Sequence, residues 1–96
     1  MEPKLRGLIE KVIDEGLTPE RLRLQREVAE FFAPLIKSKR DMMFGHFVGY
    51  VSGALVLFVE RLYGRLPTAE EKKEMGRILQ SRAREIIDAI EKELHR

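Results

Sequence analysis

Histidine is the usual side chain for acid–base catalysis near neutral pH, and this chain has two, His46 and His95. His95 lies next to the last residue, where we expect no role. His46 lies in an uncharged stretch, 42–59, that ends just before Glu60. His46 and Glu60 share one helical stripe but are about 21 Å apart, which is too far for one helix to hold a metal between them. An antiparallel pair of such helices would instead let His46 of one copy hydrogen-bond Glu60 of the other.

No established catalytic arrangement of residues is recognisable elsewhere in the sequence. The absence of cysteine excludes thiolate catalysis and zinc–thiolate sites. The sequence also has no P-loop, no H-E-x-x-H motif, no Ser-His-Asp arrangement and no paired carboxylates. We therefore expect a protein that is not an enzyme and that uses no metal, no cofactor and no small-molecule substrate.

Arg40 and His46 form the one motif that resembles a known enzyme family. The segment reads Arg40-Asp41-x-x-x-x-His46, which is similar to the Arg-x(4–6)-His signature of HEPN ribonucleases. The resemblance implies a dimeric helical bundle in which Arg40 and His46 cleave RNA. It covers seven residues of the 96, so the ribonuclease function is a remote alternative.

Basic residues concentrate in two segments, 21–40 and 61–65, against only Glu27 and Glu30 in the first. Such a surface would clamp phosphates without reading bases, so a basic architectural or packaging protein is the main alternative function. Arg26 and Glu30 are four residues apart and can also pair on a solvated helix face. The candidate phosphate-binding residues are Arg21, Arg23, Arg26, Lys37, Lys39, Arg40, Arg61 and Arg65.

The uncharged stretch predicts the central helix of the fold, at 41–63. Gly45, Gly49 and Gly53 recur every four residues and form a narrow stripe that Ser52 and Val56 extend. Bulky apolar residues, among them Phe47 and Val51, fall on the opposite side. Three glycines inside a helix cost about 3 kcal/mol in propensity, and close approach of another backbone would offset that cost. These five residues are the predicted oligomer contact.

The pattern predicts a single all-α domain, 1–96, with helices at about 3–15, 19–39, 41–63 and 69–95. These would form an elongated antiparallel bundle of four helices around the glycine-striped hydrophobic helix. We expect Pro34 to bend or split the second helix, whose buried stripe would contain Leu24, Val28, Phe31, Phe32, Leu35 and Ile36. Gly16 and Gly64 are predicted helix stops, Thr18 and Asp41 predicted N-caps, and Thr68-x-x-Glu71 a capping box.

The leading functional hypothesis is a homo-oligomeric assembly or interaction protein, most simply a two-fold dimer whose glycine faces cross near Gly49. A membrane-associated, single-span protein is a further alternative, because eighteen uncharged residues are close to the length that crosses a bilayer. Abundant Glu, Lys and Arg with no Asn resembles hyperthermophile composition. Charges throughout the first sixteen residues do not fit a secretory signal, so a cytoplasmic location is expected.

Overall fold

The chain is all-α in a computed structural model that describes residues 1–96. No strand is present, and the helices pack against one another. The all-α class predicted from the sequence is confirmed. The elements are α1 (Pro3–Gly16), α2 (Pro19–Phe31), a 3₁₀ turn (Ala33–Leu35), α3 (Lys39–Tyr63), α4 (Ala69–Ser81) and α5 (Ala83–Leu94).

Local signals set most of the helix ends. Pro3 and Pro19 occupy the first turns of α1 and α2, where a missing N–H costs no helical hydrogen bond. Gly64 ends α3 in the left-handed conformation at φ 67°, as expected for a glycine stop. The prediction that Asp41 caps α3 is wrong. Ser38 is the cap, since its hydroxyl accepts a 3.0 Å hydrogen bond from the Asp41 amide.

The second predicted helix, 19–39, is split near Pro34. Helix α2 ends at Phe31, and the 3₁₀ turn containing Pro34 follows it, because proline cannot donate the next helical hydrogen bond. The predicted buried stripe of this helix is wrong: Leu24, Phe31 and Leu35 are 49%, 78% and 81% exposed. The buried face instead carries Leu22, Gln25 and Ala29.

The last predicted helix, 69–95, is not continuous. The helical pattern is interrupted at Arg82, whose backbone has φ −108° and ψ 7°. The Arg82 guanidinium reaches back to α1, where it bonds Asp14 at 2.7 Å and Glu10 at 3.3 Å. Arg82 also bonds Glu85, three residues further on, at 3.0 Å, but its contacts with α1 join positions far apart in the chain and are not predictable from a local pattern. Five α-helices therefore replace the four that were predicted.

Helix α3 is the centre of the fold, as predicted, and packs against α1, α2 and α5. Its bulky side is fully buried against a core that includes Leu5, Ile9, Ile86 and Ile90. The buried α3 residues are Met43, Phe47, Val51, Leu55 and Val59. The molecule measures 40 × 24 × 21 Å, so it is elongated. Helix α3, about 37 Å long at 1.5 Å per residue, accounts for the long dimension.

Candidate functional site

The side of α3 that turns away from the core is not covered by any other part of the chain. We call it the open face of α3 and define it by Gly45, Gly49, Ser52, Gly53 and Val56. The three glycines are exposed, and a methyl group added at any of them would meet no heavy atom within 4 Å. Ser52 donates a 2.8 Å hydrogen bond to the Val48 carbonyl, so its hydroxyl is satisfied within the helix. Of the residues predicted as oligomer contacts, the three glycines and Val56 are therefore exposed, and Ser52 is half-buried.

The glycines of the open face also form part of a shallow groove between α3 and α1. Gly49, Gly53 and Leu57 line it on the α3 side, and Val12 and Glu15 line it on the α1 side. Most of the lining is apolar. Leu57 is 43% exposed and was not among the predicted contact residues, although its position four residues after Gly53 signals the same face.

Helix α3 is also long and apolar enough to cross a membrane, judged by length and composition alone. Its 18-residue window has a mean hydropathy of 1.8, and only 28% of that window is buried within the chain. The buried part is the side that packs in the core. The remainder is an uncharged surface on the central helix of a chain that is otherwise rich in charge.

Arg40 and His46, the pair that resembles the HEPN signature, project from α3 in different directions. Arg40 donates a 3.1 Å hydrogen bond to Glu91 of α5, and this bond raises the pKa of Arg40. His46 instead lines a cavity of about 20 Å³ between α1, α2 and α3. Six residues on a helix correspond to about 120° of separation around the axis. One chain therefore does not direct both side chains at a common point.

The small cavity beside His46 contains an unusual polar group. Gln25 of α2 is 5% exposed, and its Nε2 donates a 3.4 Å hydrogen bond to the Gly16 carbonyl. Its Oε1 is buried without a protein partner. Arg21 lies over the ring of Tyr50 at the same cavity, with its guanidinium carbon 5.5 Å from the ring centroid. The cavity has room for about one water molecule.

Three of the predicted phosphate-binding residues are engaged by carboxylates of the same chain. Arg26 contacts Glu30 at 3.0 Å and the buried Glu93 at 2.9 Å. Arg40 is bound to Glu91, as described above.

Arg65 makes the third of these pairs. It donates two hydrogen bonds to Glu71, at 2.8 and 3.1 Å. This pairing raises the pKa of Arg65 and, with the hydrogen bond from the Thr68 amide, lowers the pKa of Glu71 to about 2. An arginine whose hydrogen-bond donors are already paired has less capacity for a phosphate.

The other predicted basic residues are not neutralised in this way. Arg21 is held against Tyr50, whereas Arg23, Lys37, Lys39 and Arg61 are exposed and make no ion pair within 4.0 Å. Lys37 and Lys39 flank the start of α3, whereas Arg61 lies in its last turn. The eight residues therefore do not form one continuous basic surface.

Comparisons with protein-family models, with curated proteins and with solved structures find no match to this chain. No group of three or more His, Asp and Glu side chains is arranged to hold a metal ion. The open face of α3 is an uncharged surface on a chain that is otherwise rich in charge.

Proposed function

We propose that this protein is a non-enzymatic assembly module that acts as a homo-oligomer through the open face of α3. The observation that carries the proposal is an exposed, uncharged, glycine-striped surface on the central helix. Its three glycines cost helix stability, about 3 kcal/mol together. No contact within the chain uses the space that they leave, since nothing lies within 4 Å of their added methyl positions.

A second copy of the chain is the simplest partner for this surface. In a two-fold dimer the same patch supplies both sides of the contact. Two glycine stripes allow the helix axes to approach closely, and the exposed Val56 and Leu57 would be buried at the edge of the crossing. The groove between α1 and α3 would accept apolar side chains of the partner. Burial of this surface would also remove an apolar patch from water.

The test is Gly49→Leu, with Gly7→Leu as the matched control. Both glycines are exposed positions inside helices, and a Cβ added at either would meet no heavy atom of another element within 4 Å. We expect light scattering on detergent-free protein to give a multiple of 11.2 kDa for the wild type and the control. Gly49→Leu should give the monomer mass through steric clash. An unchanged oligomer mass in Gly49→Leu, or a monomeric wild type, would contradict the proposal.

Non-specific binding of nucleic acid is the second candidate function. It is favoured by the four exposed basic residues without ion pairs, Arg23, Lys37, Lys39 and Arg61. Light scattering repeated with a short DNA duplex distinguishes it from assembly alone. A mass increase that disappears with added salt would support phosphate binding. Protein that stays in solution only with detergent would indicate the membrane-spanning alternative.

A further inference from the structure

The connection between α2 and α3 exposes a cluster of large apolar side chains. We call residues 31–40 the α2–α3 corner. Phe31 and Leu35 are 78% and 81% exposed, and Phe32 is 40% exposed. The two phenyl rings pack edge to face with centroids 5.1 Å apart. These side chains thus support one another and do not enter the core.

The corner lies at one end of the elongated molecule. Helix α3 is about 37 Å long, close to the 40 Å long dimension, so its first residues lie near one extremity. The bond from Arg40 to Glu91 brings the end of α5 to the same region. Exposed apolar side chains near one end of the molecule are accessible to an extended surface such as a bilayer.

The charges of the corner are positive. Lys37, Lys39 and Arg40 follow the apolar residues within four positions, and no acid occurs in 31–40. Arg40 is bound by Glu91 and by Asp41, whereas the two lysines have no carboxylate within 4.0 Å. The acids on the neighbouring turn of α2 are Glu30, which binds Arg26, and Glu27. The two lysines therefore remain available to an anionic partner.

We propose that the α2–α3 corner docks on an anionic lipid bilayer, with Phe31, Phe32 and Leu35 inserted at the interface and Lys37 and Lys39 at the headgroups. Apolar side chains beside lysines combine the two signals that reversible membrane binding needs. Leu35 argues for lipid over nucleic acid, because an aliphatic side chain gains by burial in hydrocarbon but offers no ring for base stacking. This inference does not depend on self-association through the open face of α3.

The test uses co-sedimentation with phosphatidylcholine vesicles, with and without phosphatidylserine. We expect the wild type to bind the mixed vesicles and to bind more weakly when salt is added. The double variant Phe31→Ser/Leu35→Ser and the double variant Lys37→Glu/Lys39→Glu should each reduce the partition coefficient about tenfold or more. Leu66→Ser is the control, because Leu66 is 67% exposed but follows the other end of α3.

The outcomes separate this proposal from its competitors. Equal binding to neutral and mixed vesicles, or an equal loss in the Leu66→Ser control, would overturn it. Binding to a DNA duplex without binding to vesicles would also overturn it, and loss of that DNA binding in Lys37→Glu/Lys39→Glu would assign the corner to nucleic acid instead. Gly49→Leu should still bind mixed vesicles. Self-association and lipid binding are therefore tested separately. All substituted side chains are exposed, and circular dichroism should show unchanged helix content in every variant.

Discussion

At the scale of single residues, Gly16 lies directly against the ring of Phe47. Gly16 was predicted as a helix stop because glycine often ends helices in the left-handed conformation. Helix α1 does end there, but its cap residue Leu17 is right-handed, at φ −87°. The glycine is needed for space instead: an added methyl would lie 2.8 and 2.9 Å from the Phe47 ring. The sequence located the helix end, but the reason for glycine depends on α3.

Gly16→Ala should therefore destabilise the protein by about 1–3 kcal/mol through overpacking. Phe47 is fully buried, so its ring has little room to move away. Gly7→Ala, at an exposed position of the same helix with open space around it, should instead stabilise the protein by about 0.5–1 kcal/mol. Urea denaturation measures both values. A Gly16→Ala variant as stable as the wild type would show that the Phe47 ring can move to make room for the added methyl group.

At the scale of elements, the start of α4 shows how a local signal and a longer-range pair combine. The capping box predicted from Thr68-x-x-Glu71 is confirmed. The Thr68 hydroxyl accepts from the Glu71 amide at 3.1 Å, and the Glu71 carboxylate accepts from the Thr68 amide at 2.8 Å. Arg65, one of the predicted phosphate-binding residues, adds two hydrogen bonds to the same carboxylate. The cap thus ties the loop after α3 to the first turn of α4.

This arrangement predicts a specific loss of stability in acid. The pKa of Glu71 is lowered from 4.5 to about 2 in the folded chain, so the unfolded chain takes up a proton first as the pH falls. The stabilisation is complete above pH 4.5 and is lost progressively toward pH 2. Glu71→Gln should make the stability less dependent on pH in this range. The measurement is the urea midpoint of unfolding at a series of pH values.

Glu70→Gln is the matched control, because Glu70 is exposed and has only a 3.8 Å contact with Lys73. The pKa of Glu74 is also lowered, by the amino terminus and Arg6, so some acid sensitivity should persist in both variants. If the urea midpoint depends on pH equally in Glu71→Gln and in the wild type, the capping carboxylate does not cause the acid sensitivity.

Thr68→Ala should lower the free energy of unfolding by about 1 kcal/mol, because it removes the hydroxyl that caps the start of α4.

At the scale of the whole molecule, the fold leaves its most apolar helix covered on one side only. The radius of gyration of the Cα atoms is 14.1 Å, which describes a single elongated chain. A homo-oligomer built on the open face of α3 would be larger. It would also couple folding to association, because the partner binds only the folded state.

The melting temperature of the wild type should therefore rise with protein concentration, and X-ray scattering should give a radius of gyration above that of the single chain. Gly49→Leu should remove the concentration dependence without changing helix content. Gly7→Leu provides the control, as in the mass measurement. A wild-type melting temperature that stays constant over a wide dilution series would be inconsistent with obligate self-association.

Features with causes within a few residues were predictable from the sequence alone. Helical periodicity without strand signals established the all-α class, while Pro19, Gly64 and the Thr68 cap established ends of elements because backbone geometry and capping act locally. The spacing of Gly45, Gly49 and Gly53 likewise predicts a small-residue stripe, since side-chain direction on a helix depends only on position.

Only the tertiary structure decided which surfaces are used within the chain. Periodicity placed Leu24 and Phe31 in the core, but the packing of α2 against α3 and α5 buries Gln25 and Ala29 instead. The Arg82 side chain, at the break between α4 and α5, bonds acids of α1 that are 68 and 72 positions away.

The partners of the basic residues were also decided by the tertiary structure. The sequence suggests a local partner, Glu30, for Arg26, but it does not predict that Glu93 and Glu91 of α5 also hold Arg26 and Arg40. These ion pairs arise from the meeting of distant segments, so no local pattern encodes them. Lys37 and Lys39, in contrast, are free to bind an outside partner, because the fold brings no carboxylate to them.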